Sequence, residues 1–500
     1  MITITIDHQH PGAVVPHDFA GLSFERGALN PGNAGVTGYL FSPAHKSLVT
    51  LFRNMGLHNL RIGGGSIDDM IPAGTGSDGF TGIDNLFAFA AATEANVIYS
   101  LRLLNPGSNP IPHLRSVDAR IAGHIWQHYQ KNLASFAIGN EPDWHSYHTY
   151  PGHPLDPRIY ETVPGVPGSA YPSYLADWRS FASAVGDEAP QAPLSGPETG
   201  AYSTKTFTPS PRSGVSWTQR FARDEQSSGR IAGLTQHYYV GGDPRGTSAA
   251  QAIANMLSAV WVNATVAGTQ PAGTVYTPYP WLHANIVAPA AASGLSCRLT
   301  ESNDYLGGVP GASNAFASAL WALDYLHWWA ARGAAGVNFH NKQWYYTGTI
   351  VPDPKGGGYA ISPKGYGIKA FSLASAGRVK PVTIQSVTIQ NQQSIDLTAY
   401  CVGTASEDYL TIINKTHGAG AANAAVTITP PGPTPRGAAM MTLASVPPGH
   451  AGSGQATLGG DTITGDTPWN GTWTTLPVNP QTGISLTAGA SSAVIVRIST

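Results

Sequence analysis

Cysteine is nearly missing from this 500-residue chain. Its two residues, Cys297 and Cys401, are too few for a disulfide framework and lack metal-ligand spacing, so each is expected to be a buried free thiol. Charge is scarce as well: 11% of residues are Asp, Glu, Lys or Arg, with a net charge of −2. No basic stripe is left to follow a phosphate backbone, which argues against nucleic acid as a partner. No apolar run reaches the roughly 18 residues of a membrane span, so no membrane partner is expected. The opening MITITIDHQH alternates like a strand and lacks the basic and apolar regions of a signal peptide, leaving both export and the cytoplasm open.

Several motifs are missing too. There is no G-x-S-x-G elbow of the serine hydrolases and no H-E-x-x-H. His8 with His10 and His145 with His148 have ligand-like spacing but no further partner, so they are expected to be solvated. G-x-G-x-x-G does not fall on Gly63–Gly65, which is better explained as a tight turn that frees backbone near a substrate. Neither metal nor cofactor is expected.

What is present suits two packed cores. Hydrophobic residues make up 42% of the chain, and its length predicts one barrel-sized domain plus one of roughly 100 residues. Between residues 18 and 375 there are eight short apolar runs: Phe19–Phe24, Asn59–Ile62, Val97–Leu103, Ala134–Ile138, Ala192–Ser195, Gly233–Thr235, Leu295–Leu299 and Gly336–Phe339. Between them, segments such as Ser47–Met55, Val117–Lys131 and Ala315–Ala331 carry apolar residues at helical spacing. Eight β-α units predict a (β/α)8 TIM barrel over residues 16–376. Past Gly377 the runs VTIQSVTIQ, LTAYCVG, YLTIINK and AVIVRIST predict a C-terminal antiparallel β-sandwich over 377–500, and the alternating residues 1–15 are expected to add a strand to it. The Gly/Pro-rich stretches Pro151–Pro172 and Pro352–Gly358 suggest surface loops above the barrel mouth.

In such a barrel the residues closing each strand build the active site. Here these are Glu25, the Gly63–Gly65 turn, Asn105, Asn140 with Glu141, Glu198, His237 with Tyr238, Glu301, and His340 with Asn341. Glycosidic bond hydrolysis needs a carboxylic acid and a carboxylate facing each other, and Glu141 and Glu301 end the fourth and seventh strands. In SFAIGNEPD, Gly139 lets the chain approach a substrate and Asn140 offers hydrogen bonds to a sugar hydroxyl. Glu301 closes LSCRLT and opens SNDY. Tyr238 or Tyr305 is expected to donate to the ionised nucleophile, and His237 to support the pair by hydrogen bonding. Glu198 is left outside the core site.

GLSFE at 21–25, LRIGGGS at 60–66, AIGNEPD at 137–143, QHYY at 236–239, LTESNDY at 299–305 and GVNFH at 336–340 together resemble glycoside hydrolase family 79, the microbial β-glucuronidases and heparanase. The resemblance implies a barrel with a β-sandwich assembled from both chain ends, and net retention. It makes Glu141 the acid/base and Glu301 the nucleophile, with Glu25, Asn140, Tyr238 and Tyr305 lining the sugar subsite. In that family a tyrosine and backbone amides of a glycine-rich loop after the eighth strand hold a glucuronide carboxylate. The corresponding loop here, HNKQWYYTGTI at 340–350, has no run of glycines. Tyr345, Tyr346, Thr347 and Gly348 are the residues placed to take that work, with Lys342 as a charge partner and Trp344 as a lid or stacking ring. The expected activity is therefore that of a retaining, exo-acting β-D-glucuronidase on a small β-glycoside or oligosaccharide. A neutral β-glycosidase is the alternative, and a non-catalytic carbohydrate-binding protein a third.

Overall fold

The computed structural model describes residues 2–32, 38–69, 79–103, 114–145, 171–200, 216–266, 268–269, 275–342, 345–353, 356, 358–386, 395–429 and 435–499. Asn105, His148, Trp344 and residues 151–170, to which expectations were attached, lie outside that set.

The first strand, β1 (Ile2–Ile6), precedes eight that form a closed parallel barrel: β2 (Ala20–Glu25), β3 (Asn59–Gly63), β4 (Asn96–Leu101), β5 (Leu133–Ile138), β6 (Leu194–Thr199), β7 (Ile231–Tyr239), β8 (Cys297–Asn303) and β9 (Gly336–His340). Their order in space is their order in the chain, with β9 returning to β2 through pairs such as Val337 with Ala20. The (β/α)8 barrel is thus observed. Its strands are buried on both faces, so they appear in the sequence as short apolar runs rather than alternating ones. The polar C-terminal halves of β6, β7 and β8 lie beyond those runs, and these strands extend to Thr199, Tyr239 and Asn303.

The C-terminal part forms two sheets. A four-stranded sheet has the order Val382–Ser386, β1, Ala424–Thr429, Ile484–Ala488, so the N-terminal strand does join it. The alternation ITITI sets its facing: Ile2, Ile4 and Ile6 are buried, and Thr3 and Thr5 partly exposed. Complete burial of a side chain like Ile4 contributes roughly 1.5–3 kcal/mol. One departure from the antiparallel expectation is that β1 pairs parallel with Ala424–Thr429, Ile4 lying opposite Ile428.

The second sheet, built around Glu407–Asn414, Ser492–Ser499 and Gly437–Ser445, has two buried faces. Val494, Val496 and Ile498 point into the sandwich, and Ala493 and Ile495 into the barrel-side core. The helix Phe316–Ala330 is buried along its whole length between that sheet and the barrel. Its Asp324 accepts hydrogen bonds from Thr398 Oγ1 at 2.7 Å and Tyr400 Oη at 2.9 Å. A charged residue on this buried helix is tolerated because these donors serve Oδ1 and Lys415 Nζ lies 3.7 Å from Oδ2. Cys297 and Cys401 are free and buried, as the sequence suggested.

Candidate active site

Arg61 stands in the middle of the barrel mouth, fully buried, between Leu60 and Ile62 of β3. Its Nη1 donates to Glu301 Oε2 at 2.7 Å and to Ser23 Oγ at 3.2 Å. Its Nη2 donates to Glu198 Oε2 at 2.5 Å and to Asn140 Oδ1 at 2.8 Å. One guanidinium therefore fixes groups from four other strands or strand ends. Arginine suits this because its planar fork stays charged when dry.

Gly63 and Gly64 serve this arrangement. A Cβ on Gly63 would lie 2.3 Å from Arg61 Cζ, and one on Gly64, whose φ is +74°, would lie 2.4 Å from Glu25 Oε2. The turn makes room for the protein's own side chains, a more specific reason than nearness to substrate. Glu25 accepts from Ser66 N at 2.9 Å and Lys342 Nζ at 3.1 Å, and His340 Nε2 approaches it at 3.5 Å. Burial works to raise the Glu25 pKa, but His340 and Lys342 outweigh it and hold the carboxyl well below its ordinary range.

Glu301 and Glu141 lie close together in the mouth. Carboxylate oxygens of both, together with a ring nitrogen of His237, lie within 4.8 Å of one another. A register shift between Leu299 and Glu301 sets an extra residue of β8 against β7. Such a bulge re-aims side chains, and here consecutive residues face the same network: Thr300 Oγ1 donates to Glu198 Oε1 at 2.9 Å while Glu301 meets Arg61. Glu141 sits at φ +47° and Glu198 at φ +57°, a left-handed backbone that costs about 1–3 kcal/mol in a non-glycine residue and clusters at functional sites. The two are joined directly, Glu141 N donating to Glu198 O at 2.8 Å.

The two glutamates have different surroundings. Glu301 is 7% exposed and receives Tyr239 Oη at 2.7 Å besides Arg61. Burial opposes ionisation, yet His340, His237 and Arg61 together hold its pKa down at about 2. Glu141 keeps 19% of its side chain exposed and contacts His237 Nδ1 at 2.9 Å. Behind it Asp143 is buried and accepts from Gly200 N at 2.8 Å; burial, with repulsion from Glu141, pushes its pKa up to about 7. His237 is fully buried, and its Nε2 lies 2.9 Å from Glu198 Oε2. Burial disfavours its charge, but Glu301, Glu141 and Glu198 raise its pKa to about 10. The Glu141, His237 and Glu301 atoms are compact enough to hold a cation, but Arg61 already brings positive charge to Glu301.

The expected residues divide accordingly. Glu25, Asn140, Glu141, His237, Glu301, His340 and Lys342 converge on the mouth. Tyr238 does not: its hydroxyl donates to Thr277 O, and its ring packs on Tyr325 and Trp329. Side chains alternate along a strand, so with His237 in the mouth Tyr238 must face the helices and Tyr239 returns to the mouth. Tyr305 is also turned away, receiving Asn255 Nδ2 at 2.8 Å and packing on Trp261. Tyr346 is 49% exposed at the surface, and Thr347 is buried beneath the loop, where its carbonyl accepts from Lys364. Tyr345 stays beside the mouth, 5.1 Å from Lys342 Nζ. His8 is engaged rather than solvated, its Nε2 being 2.6 Å from Asp408 Oδ2.

The residues missed from sequence are Arg61, Tyr239 and Glu198. An arginine flanked by apolar residues inside a barrel strand, and period-two counting from His237, are the signals that point to the first two. Glu198 closes a barrel strand, yet the sequence leaves it outside the core site, because its role depends on what β3, β7 and β8 bring to it.

No protein-family model matches this sequence, and no curated protein matches it either. Solved structures do match along the whole length. A 4-O-α-L-rhamnosyl-β-D-glucuronidase from Fusarium oxysporum 12S superposes with TM-score 0.65 at 17% identity over 99% of each chain. A GH51 arabinofuranosidase from Xanthomonas axonopodis pv. citri gives 0.64 at 14% over 99% of each, and a GH30 endoxylanase from Clostridium papyrosolvens C71 gives 0.57 at 12% over all of both. At such identities the likeness is one of architecture: this chain has the TIM-barrel and β-sandwich fold found in those glycoside hydrolases.

Proposed function

We propose that this protein is a retaining, exo-acting β-glycoside hydrolase. Glu301 attacks the anomeric carbon, Glu141 protonates the leaving oxygen and then takes a proton from the water that releases the sugar. The observation that carries this reading is the approach of the two carboxylates to within 4.8 Å with unlike surroundings. Retaining enzymes place their carboxyl groups about 5–5.5 Å apart, inverting ones about 6.5–9.5 Å. Arg61 and Tyr239 favour the ionised form of Glu301, as a nucleophile requires.

Within that class the substrate we favour is a β-D-glucuronide, and with it membership of glycoside hydrolase family 79. Lys342, 26% exposed beside Glu25, offers positive charge at the mouth for a sugar carboxylate. A neutral β-glycoside is the second reading, favoured by the 3.1 Å bond that already engages Lys342 with Glu25. A panel of aryl β-glucuronide, glucoside, xyloside and galactoside tests both, with product configuration followed by NMR. Turnover with retention, lost on Glu301→Gln or Glu141→Gln, is expected. Inverted product, or full rates in either variant, would sink the assignment, and binding without turnover would favour a carbohydrate-binding role.

A further inference from the structure

Glu198 has no part in the double displacement, yet it is fully buried at the centre of the mouth. Every partner given above for its carboxylate is a donor or a ring nitrogen. Oε1 accepts from Thr300 Oγ1 at 2.9 Å, and Oε2 accepts from Arg61 Nη2 at 2.5 Å while facing His237 Nε2 at 2.9 Å. The two hydrogens on Arg61 Nη2 are taken by Glu198 and Asn140 at 2.5 and 2.8 Å, which leaves the 3.3 Å approach of Nη2 to His237 Nε2 without one. An ionised carboxylate only accepts, so the hydrogen between His237 and Glu198 must be on Nε2. With Nε2–H fixed, the other ring nitrogen, Nδ1, faces Glu141 Oε1 at 2.9 Å. One proton fits between those two atoms, on one or the other.

We infer that Glu198 is a positioning residue that acts through His237, fixing its tautomer and holding a shared proton between His237 Nδ1 and Glu141. The inference rests on the role proposed above for Glu141. In the first half-reaction the shared proton passes to the glycosidic oxygen as the bond from C1 to that oxygen breaks and Glu301 bonds C1. His237 is left neutral, still donating from Nε2 to Glu198, and Glu141 is left ionised. In the second half-reaction a water oxygen bonds C1, the ester to Glu301 breaks, and the water proton restores the pair. Glu198 itself stays ionised throughout, because Arg61 and Thr300 hold it. The other charged groups near the ring are Glu301, whose Oε2 is 3.9 Å from Nδ1, and Asp143 behind Glu141. Two interacting groups titrate as one unit, so Glu198 tunes the pair rather than either member.

Glu198→Gln tests this with little change of shape. A glutamine oxygen in place of Oε2 keeps the Arg61 and His237 bonds, and its amide faces the Thr300 hydroxyl, which accepts. Only the charge is lost, and removing an anion loosens a nearby proton. In the full-length protein labelled with 15N-histidine, the deprotonation midpoint of the His237 ring is expected to fall by about one pH unit or more in the variant. The alkaline limb of kcat/KM on an aryl β-glycoside should move down with it, so that activity is lost more near pH 10 than at pH 5. Thr300→Val, which removes one donor to Glu198, should shift the midpoint less. An unchanged midpoint, or a Nε2 that loses its proton between pH 5 and 9 in the wild type, overturns the inference even if the enzyme is active. A uniform loss of activity at all pH values also overturns it, in favour of a structural role. A shifted midpoint in a protein that turns over no glycoside upholds the proton array and sinks the function proposed for it.

Discussion

Replacing Tyr239 with Phe removes one hydroxyl from the mouth. That hydroxyl donates to Glu301 Oε1 at 2.7 Å, with Tyr239 1% exposed. A hydrogen bond to a charged group contributes about 1.5–3 kcal/mol. If the hydroxyl contributes that much more in the transition state than in the free enzyme, its loss at 1.36 kcal/mol per tenfold costs roughly 10- to 150-fold in kcat/KM. The direction in pH follows as well. Without that donor the ionised form of Glu301 is less favoured, its pKa rises from about 2, and the acid limb of the profile moves up. The assay is kcat/KM against pH on whichever aryl β-glycoside the panel selects, with Tyr238→Phe as the matched control. Tyr238 carries the same hydroxyl one residue away, bonded to Thr277 O and facing the helices. Equal damage from the two variants, or a Tyr239→Phe rate within roughly threefold of wild type, would refute the assignment of faces along β7.

Arg61→Met leaves Glu198 and Glu301 buried without their cation, and breaking a buried ion pair from one side costs about 3–5 kcal/mol; a urea midpoint unchanged from wild type would contradict this. Stability should also vary with pH on both sides of a plateau. Glu198 and Glu301 are depressed from 4.5 to about 2, so their contribution is present above about pH 4.5 and lost as pH falls towards 2. His237 is raised from 6.5 to about 10, so its contribution is full below about pH 6.5 and lost as pH rises through 10. Thermal midpoints that keep rising between pH 6.5 and 10 would count against the His237 environment. Cys297 and Cys401 are buried, and burial pushes the Cys297 thiol up to about 12. A thiol reagent should therefore label neither until the protein unfolds, and fast labelling of the native protein would show a different packing.

Much of this protein follows from local pattern. Eight apolar runs separated by helical periods determined the barrel, because buried parallel strands must be apolar and crossovers amphipathic. The alternation ITITI marked Ile2–Ile6 as a strand with one buried face. Chain position placed Glu141 and Glu301 just past the apolar runs of the fourth and seventh barrel strands, where the loops of a barrel converge. Tertiary structure decided the rest. A one-residue bulge in β8 turned Thr300 and Glu301 towards the same network, and alternation along β7 sent Tyr238 outward and Tyr239 inward. Arg61 became the hub only because the closed barrel brings Ser23, Asn140, Glu198 and Glu301 within reach of one guanidinium. The linear sequence holds those residues up to 278 positions apart, from Ser23 to Glu301. What a carboxylate does depends on the charges beside it, and those are fixed by closure of the barrel, which no local pattern records.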